Sequence, residues 1–255
     1  MNPQITCAEG VQATPEEVRQ SHVFRQWLER LATDGPSIEL RAVTVLAVHA
    51  WGRPTPEIKM LHLLVEAYEG ERRLDGVCTL RGATVDMLAL LDDGSSEEHV
   101  VFVIQPRVPG AQSAVVSNPS GMVDPGEQVK LAGLRELDEE LANAAPDGEE
   151  TDGDGIIVWG EPIDLGEYAV GSDEPFLVSP GGSDETVKFF VVRARVTSAQ
   201  IRKLHNKFGG AAHEDERVQI IVVPLSQART AAKRGGKVCL KTLLSLLLYK
   251  EYSVG

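Results

Sequence analysis

The sequence predicts an α+β fold in which a mixed β-sheet is sandwiched between helices, preceded by an N-terminal extension of helix and strand. Two observations lead to this prediction. Apolar segments of strand length recur along the 255 residues, and helical patterns fall between them without the strict alternation of βαβ units. The 42% hydrophobic content is sufficient for a sizeable buried core.

The first 36 residues are predicted to form an N-terminal arm, and residues 37–255 the main domain. Thr14, Pro15 and Glu17 supply an N-cap, a first-turn proline and the acid of a capping box. Apolar residues at helical spacing follow, among them Trp27, so one amphipathic helix is expected over about residues 15–32. We expect Trp27 to pack within its own domain or across a dimer.

Alternation and turn signals place the remaining elements. Strands are predicted at 38–51, 57–70, 83–93, 99–108, 156–170, 186–196 and 217–223. The composition of the run 57–70 also fits a helix. Helices are predicted at about 128–142, 198–208, 226–235 and 240–252. The segment DDGSSEE reads as a hairpin turn, and the segment 144–155 as an acidic loop.

Charge and composition restrict the functional class. The net charge of −13 argues against a general nucleic-acid-binding surface. Three widely spaced cysteines fit reduced thiols, the first residues lack a secretory pattern, and the apolar run LLSLLL is too short to cross a bilayer. These features predict a cytoplasmic protein that is not bound to a membrane.

The stretch 121–142, GMVDPGEQVKLAGLRELDEELA, concentrates carboxylates on one short helix. Glu136, Glu139 and Glu140 are three or four residues apart and therefore share a helical face. A solvated charged face is the simplest explanation of such a run, but it leaves the loop glycine and the neighbouring Arg135 unexplained. Clustered carboxylate oxygens are the ligands that Mg²⁺ prefers.

The complete spacing is Gly121, five residues, Glu127, seven residues, and then Arg135-Glu136-Leu137-x-Glu139-Glu140. This spacing resembles the Nudix box, the signature of hydrolases that cleave nucleoside diphosphates linked to another group. Ala142 and Asn143 stand where the box continues with a glycine and an apolar residue. We expect this departure to change the end of the helix and not the chemistry.

The resemblance implies a role for each residue of the box. Glu136, Glu139 and Glu140 would coordinate Mg²⁺ or Mn²⁺, with the backbone carbonyl of Ser120 as a further ligand, and Glu139 and Glu140 would belong to the catalytic set. Glu127 would pair with Arg135 to brace the loop against the helix, and Gly121 would allow the loop to turn.

Segments outside the box narrow the resemblance. VIQPRVP and NPSGMVDPGE are similar to segments of the ADP-ribose and nucleoside-diphosphate-sugar pyrophosphatases, and LRGATVDML and VSPGGSDETVKFFV are similar to those of the ADP-sugar type. By this resemblance Arg107 would contact substrate phosphate or ribose, and the turn 179–185 would lie near the active site. Glu214 or Glu216 would be the general base. Relatives of this type also suggest a homodimer.

A further cation, Arg81, is a candidate for orienting an ADP group, because an acidic protein needs local positive charge to bind an anion. The predicted function is the Mg²⁺-dependent hydrolysis of an ADP-ribose, ADP-glucose or UDP-glucose type substrate to a nucleoside monophosphate and a sugar phosphate. Two alternatives remain open. One is a Nudix hydrolase of dinucleoside polyphosphates, capped RNA or CoA, and the other is a non-catalytic nucleotide-binding module.

Overall fold

A computed structural model describes residues 2–33, 38–51, 56–142, 157–210, 217–234 and 237–254. The chain divides into two compact units. Unit 1 comprises Met1–Ala83 with Phe176–Thr186, and unit 2 comprises Thr84–Pro175 with Val187–Gly255. Helices and strands occur in both units, and the predicted α+β class is confirmed.

The strands are β1 (Gln4–Cys7), β2 (Glu39–Trp51), β3 (Glu57–Glu69), β4 (Arg72–Arg73), β5 (Gly76–Leu80), β6 (Ala83–Asp92), β7 (His99–Arg107), β8 (Gln112–Ser117), β9 (Ser120–Met122), β10 (Ile163–Asp164), β11 (Phe176–Leu177), β12 (Thr186–Arg195), β13 (Phe208–Gly209) and β14 (Val218–Pro224). The helices are α1 (Pro15–Gln20), α2 (His22–Thr33), α3 (Val129–Ala142), α4 (Leu165–Val170), α5 (Ser198–Leu204), α6 (Ala228–Ala231) and α7 (Leu240–Val254). Single 3₁₀ turns lie at Val108–Gly110 and Leu225–Gln227.

Unit 1 is built on a sheet that contains both parallel and antiparallel pairs. Strand β1 runs parallel to β2, β2 is antiparallel to β3, and β4 and β5 both pair with β3. Alternate residues such as Val43, Val45 and Leu63 are fully buried and pack with Phe24 of α2. Trp27 packs on the same core, with its ring centroid 5.7 Å from that of Phe24.

The N-terminal helix differs from the prediction. Two helices are present in place of one, because Ser21 is extended at φ −63° and ψ 144° and ends α1 there. The predicted capping box between Thr14 and Glu17 is present. The predicted boundary after residue 36 does not coincide with the division into units, since α2 packs on β3 and β5 of unit 1.

A buried carboxylate fastens the turn 179–185 inside unit 1. Asp184 is 8% exposed and accepts the backbone N–H groups of Arg81 at 2.6 Å and of Gly82 at 3.0 Å. It also forms an ion pair with Arg30 of α2. Asp184 therefore compensates its burial with three donors, which is the condition under which a buried charge is stable.

Unit 2 is a sheet with strand order β10-β12-β6-β7-β14-β13, in which β8 pairs with β7 and β9 with β6. The predicted hairpin joins β6 to β7. Strand β6 alternates between two faces, as a strand buried on both sides must. Val85 and Met87 pack with Leu137 of α3, and the opposite face presents Asp86 to residues of α7.

Several predicted elements need correction. Of the strand predicted at 156–170, the described residues 157–170 contain a strand at Ile163–Asp164 alone, and Asp164 then caps α4. The helix predicted at 198–208 ends at Leu204, and that at 226–235 shrinks to α6 and a 3₁₀ turn. The predicted C-terminal helix is confirmed as α7. Within the described residues, every helix is too short or too polar to cross a membrane.

We expect Asp184→Ala to lower the free energy of unfolding by about 3 kcal/mol, because it leaves a guanidinium and two backbone N–H groups, one of them buried, without their acceptor. Urea denaturation followed by tryptophan fluorescence measures the change. The matched control is Asp75→Ala, which removes an exposed ion pair with Arg73 and should cost less than about 1 kcal/mol. Equal losses in the two variants would contradict this account.

Candidate active site

The carboxylate helix follows a strand and a tight loop in unit 2. Strand β9 ends at Met122, and the loop turns through Gly126, whose φ of 80° lies in the left-handed region that favours glycine. The N–H of Glu127 donates to the carbonyl of Asp124 at 3.0 Å, and the carboxylate of Glu127 accepts the N–H of Asp124 at 3.1 Å. This closed turn delivers the chain to the start of α3 at Val129.

Arg135 joins the loop to the helix. Its Nε and Nη2 donate to the two carboxylate oxygens of Glu127 at 3.0 and 3.1 Å, and Nη2 also donates to the carbonyl of Met122 at 3.0 Å. The contact that the sequence predicts between Glu127 and Arg135 is therefore present, in bidentate form. The hydrogen bond from Glu127 raises the pKa of Arg135 well above its usual range, with the charge of Glu136 adding to the effect.

The same guanidinium holds two members of the glutamate cluster. Its Nη1 lies 2.8 Å from Glu136 Oε1 and 3.1 Å from Glu139 Oε2. The side chain of Glu136 is 14% exposed and that of Glu139 is 28% exposed, so both are partly shielded from water. Glu140 is buried, with 1% of its surface exposed. One cation thus offsets the repulsion between neighbouring carboxylates.

Gly121 is required by its contact with Glu136. A Cβ atom at residue 121 would lie 1.9 Å from Glu136 Oε1, which is far inside van der Waals contact. The backbone of β9 therefore forms a cradle for the Glu136 carboxylate, and any side chain at this position would displace one of them. This contact sets the backbone of β9 and the carboxylate helix side by side.

The donor set fits a hard divalent cation in its chemistry. The carboxylate of Glu136 lies beside the backbone of Gly121, and Glu139 shares Arg135 with it. Mg²⁺ binds few protein oxygens and keeps waters and substrate phosphates as its other ligands. Within the described ranges, no three acidic, histidine or cysteine side chains already converge on one point. Arg135 supplies the positive charge between Glu136 and Glu139.

Buried polar side chains hold the segment that precedes β9, and the sequence did not predict this cluster. Asn118 and Asp86 are both fully buried, and Asn118 Nδ2 donates to Asp86 Oδ1 at 2.6 Å. The N–H of Asn118 donates to the hydroxyl of Thr242 in α7 at 3.2 Å. Burial raises the pKa of Asp86 to about 6, although the hydrogen bond from Asn118 opposes the shift. The sequence feature that could have revealed this cluster is Asp86 itself, an aspartate inside an otherwise apolar strand.

A second feature outside the prediction is Gly209 in β13. A Cβ atom there would lie 1.7 Å from the carbonyl oxygen of Glu140, so the hairpin of β13 and β14 is seated against the carboxylate helix. Arg217 covers the Phe208 ring at 4.0 Å on this hairpin. The candidate bases Glu214 and Glu216 belong to residues 211–216, which lie outside the described residues.

The remaining predicted site residues are distributed over both units. Ser120 lies in β9 opposite Asp86 of β6, as the register of the strands requires. Arg107 is exposed at the end of β7 in unit 2. Arg81 belongs to unit 1, where its buried Nε makes no hydrogen bond to another described residue. Helix α3 extends to Ala142, whose side chain lies outside the described part of the chain.

An α+β scaffold that presents an intact glutamate helix behind a glycine loop is the arrangement that the Nudix resemblance predicts. Over 240 residues the chain is 28% identical to Nudix hydrolase 14, chloroplastic, from Arabidopsis thaliana; the match covers 90% of this chain and 70% of that protein. This similarity confirms two predictions, the resemblance to Nudix hydrolases and the assignment of the chain as a hydrolase.

No family model matches the chain. A solved structure of an ADP compounds hydrolase is similar with a TM-score of 0.49 and 18% identity, over 85% of this chain and 97% of that one.

Gly121→Ala is expected to reduce the predicted ADP-sugar hydrolysis by about 100-fold in kcat/KM, because a displacement near 1 Å of the loop or of Glu136 has effects of that order. Steady-state kinetics measures the loss, and circular dichroism checks that the variant is folded. Gly110→Ala is the matched control, since a Cβ atom there meets nothing within 4 Å. Wild-type kinetics for Gly121→Ala would show that the cradle is unimportant.

Proposed function

We propose that this protein catalyses the Mg²⁺-dependent hydrolysis of the pyrophosphate bond of a nucleoside diphosphate sugar. The reaction gives a nucleoside monophosphate and a sugar phosphate, because water adds to one phosphorus atom and the bridging oxygen leaves with the other. The observation that carries the proposal is that Glu136 and Glu139 both contact Arg135, and that Glu136 lies against the backbone of Gly121.

We assign the metal ligands to Glu136, Glu139, Glu140 and the carbonyl of Ser120. When bound, Mg²⁺ supplies charge neutralisation at the two phosphates and acidifies a water molecule. On binding the metal, Glu136 and Glu139 would give up some of their hydrogen bonds with Arg135 and coordinate the cation instead. Arg135 stays tied to Glu127 and Met122 through Nε and Nη2, and it can therefore hold the loop while the carboxylates bind.

Substrate binding requires positive charge on a protein of net charge −13. Arg107 is exposed and makes a suitable donor, because a guanidinium binds phosphate oxygens in a bidentate manner. We also retain Arg81 as a candidate substrate-binding residue. Its buried Nε lacks a hydrogen-bond acceptor among the described residues, and a ligand oxygen would supply one.

The general base is assigned to Glu214 or Glu216. Both lie in sequence between Gly209, which is seated against the carbonyl of Glu140, and strand β14, within residues 211–216 that are outside the described ranges. A positioned base contributes about 10²- to 10⁴-fold to the rate, so Glu→Gln at each position separates the two. The homodimer and the cytoplasmic location remain predictions from the sequence, and the Arabidopsis relative is named as chloroplastic.

The direct test is to incubate the protein with ADP-ribose, ADP-glucose, UDP-glucose, a dinucleoside polyphosphate, capped RNA and CoA in the presence of Mg²⁺. We expect nucleoside monophosphate and sugar phosphate from at least one nucleoside diphosphate sugar, and loss of this activity when EDTA removes the metal. Hydrolysis confined to the other substrates would replace the proposed substrate class, and binding without turnover would make the protein a nucleotide-binding module.

Glu139→Gln is expected to lower kcat by at least about 100-fold, because it removes a charged oxygen from the metal site while keeping the side-chain shape. Glu161→Gln is the matched control, since Glu161 is an exposed carboxylate paired with Lys130 of the same helix α3. Full activity of Glu139→Gln would remove this residue from the catalytic set.

A further inference from the structure

The buried polar cluster consists of Asp86, Asn118, Thr242 and Ser245. It is unusual because it places polar side chains in the interior of unit 2. All four residues are fully buried, and they lie between β6, the segment after β8, and helix α7. Burying a carboxylate and three neutral polar groups is unfavourable compared with apolar packing of the same volume. Core stability alone therefore does not account for these residue types.

The cluster acts on the segment 118–121. Asn118 donates its N–H to Thr242 Oγ1 and its side-chain N–H to Asp86 Oδ1, at 3.2 and 2.6 Å. The next residue, Pro119, offers its carbonyl to the N–H of Met87 at 2.9 Å. Three groups of Asn118 and Pro119 are thus fixed by hydrogen bonds before Ser120 pairs with β6, and a rotation of this segment would break at least one of these bonds.

The other end of the same segment forms the cradle. Gly121 lies against the Glu136 carboxylate, and its partner across the strands is Val85, the residue before Asp86. Any displacement of Asn118 would therefore be transmitted within three residues to Ser120 and Gly121. The C-terminal helix α7 reaches this region through Thr242, although α7 is more than 95 residues further along the chain than α3.

We propose that Asp86, Asn118 and Thr242 are positioning residues that fix the segment 118–121 for metal binding, and that α7 is thereby part of the scaffold of the site. The inference rests on the proposed function, because it takes Ser120 and the carboxylate helix as the metal-binding parts. Partners of metal ligands commonly alter metal affinity by about 10- to 100-fold when they are replaced.

Two sets of variants of the full chain test the proposal. Thr242→Val keeps the shape and removes the acceptor of the Asn118 N–H, whereas Thr242→Ser keeps the hydroxyl. The double variant Asp86→Leu with Asn118→Leu replaces the buried polar pair by apolar side chains, a change that often preserves stability. Leu246→Ala is the control on the same helix, because Leu246 is buried and apolar and does not belong to the cluster.

The measurements are the dissociation constant for Mn²⁺ by isothermal titration calorimetry without substrate, the Mg²⁺ concentration at half-maximal activity, and the thermal midpoint. We expect Thr242→Val and the double variant to bind Mn²⁺ about tenfold more weakly, and Thr242→Ser to bind it as the wild type does. Leu246→Ala should lower the thermal midpoint without changing the Mn²⁺ affinity.

Wild-type Mn²⁺ affinity in Thr242→Val and in the double variant would reduce the cluster to a structural role and overturn the proposal. Absence of Mn²⁺ binding by the wild-type protein would overturn it as well. Failure of the proposed function gives a different result. In that case the wild-type protein hydrolyses none of the nucleoside diphosphate sugars, but its Mn²⁺ affinity and those of the four variants can still be measured and compared.

Discussion

The hydrogen bonds of Arg135 are the interaction on which the site depends. One guanidinium binds Glu127 and the carbonyl of Met122 on the loop, and Glu136 and Glu139 on the helix. Without this cation, three glutamates on one helical face would repel one another, and the loop would lose its link to α3. A bidentate, always charged side chain is suited to this task in a way that lysine is not.

The site is built from contacts at very different sequence separations. The loop and the carboxylate helix are neighbours in the chain, and their pairing through Glu127 and Arg135 is what the resemblance to the Nudix box implies. Asp86, Gly209 and Thr242 reach the same region from β6, from a distant hairpin and from the C-terminal helix. Sheet register brings these residues together, because Asp86 lies opposite Ser120 while its neighbours face α3.

This difference explains what could be predicted from the sequence. Regular apolar periodicity identified β2, β3, β6, β7, β12, β14 and α7, and the resemblance to the Nudix box implied the contact between Glu127 and Arg135. Prediction failed where local signals compete, as at Ser21, which breaks a continuous apolar stripe, and at 163–170, where Asp164 caps a helix inside a strand-like run. The role of Gly209 could not be predicted, because its constraint is a carbonyl 69 residues earlier in the chain.

The central claim is that Glu136, Glu139, Glu140 and Ser120 together bind the catalytic metal. A crystal structure with Mn²⁺ and a non-hydrolysable ADP-sugar tests it most directly, because anomalous scattering locates the ion independently of the refined side chains. We predict an anomalous peak within about 2.2 Å of oxygens from this set, with the pyrophosphate bridging to it. A Mn²⁺ peak elsewhere, with Arg135 still holding Glu136 and Glu139, would contradict the account.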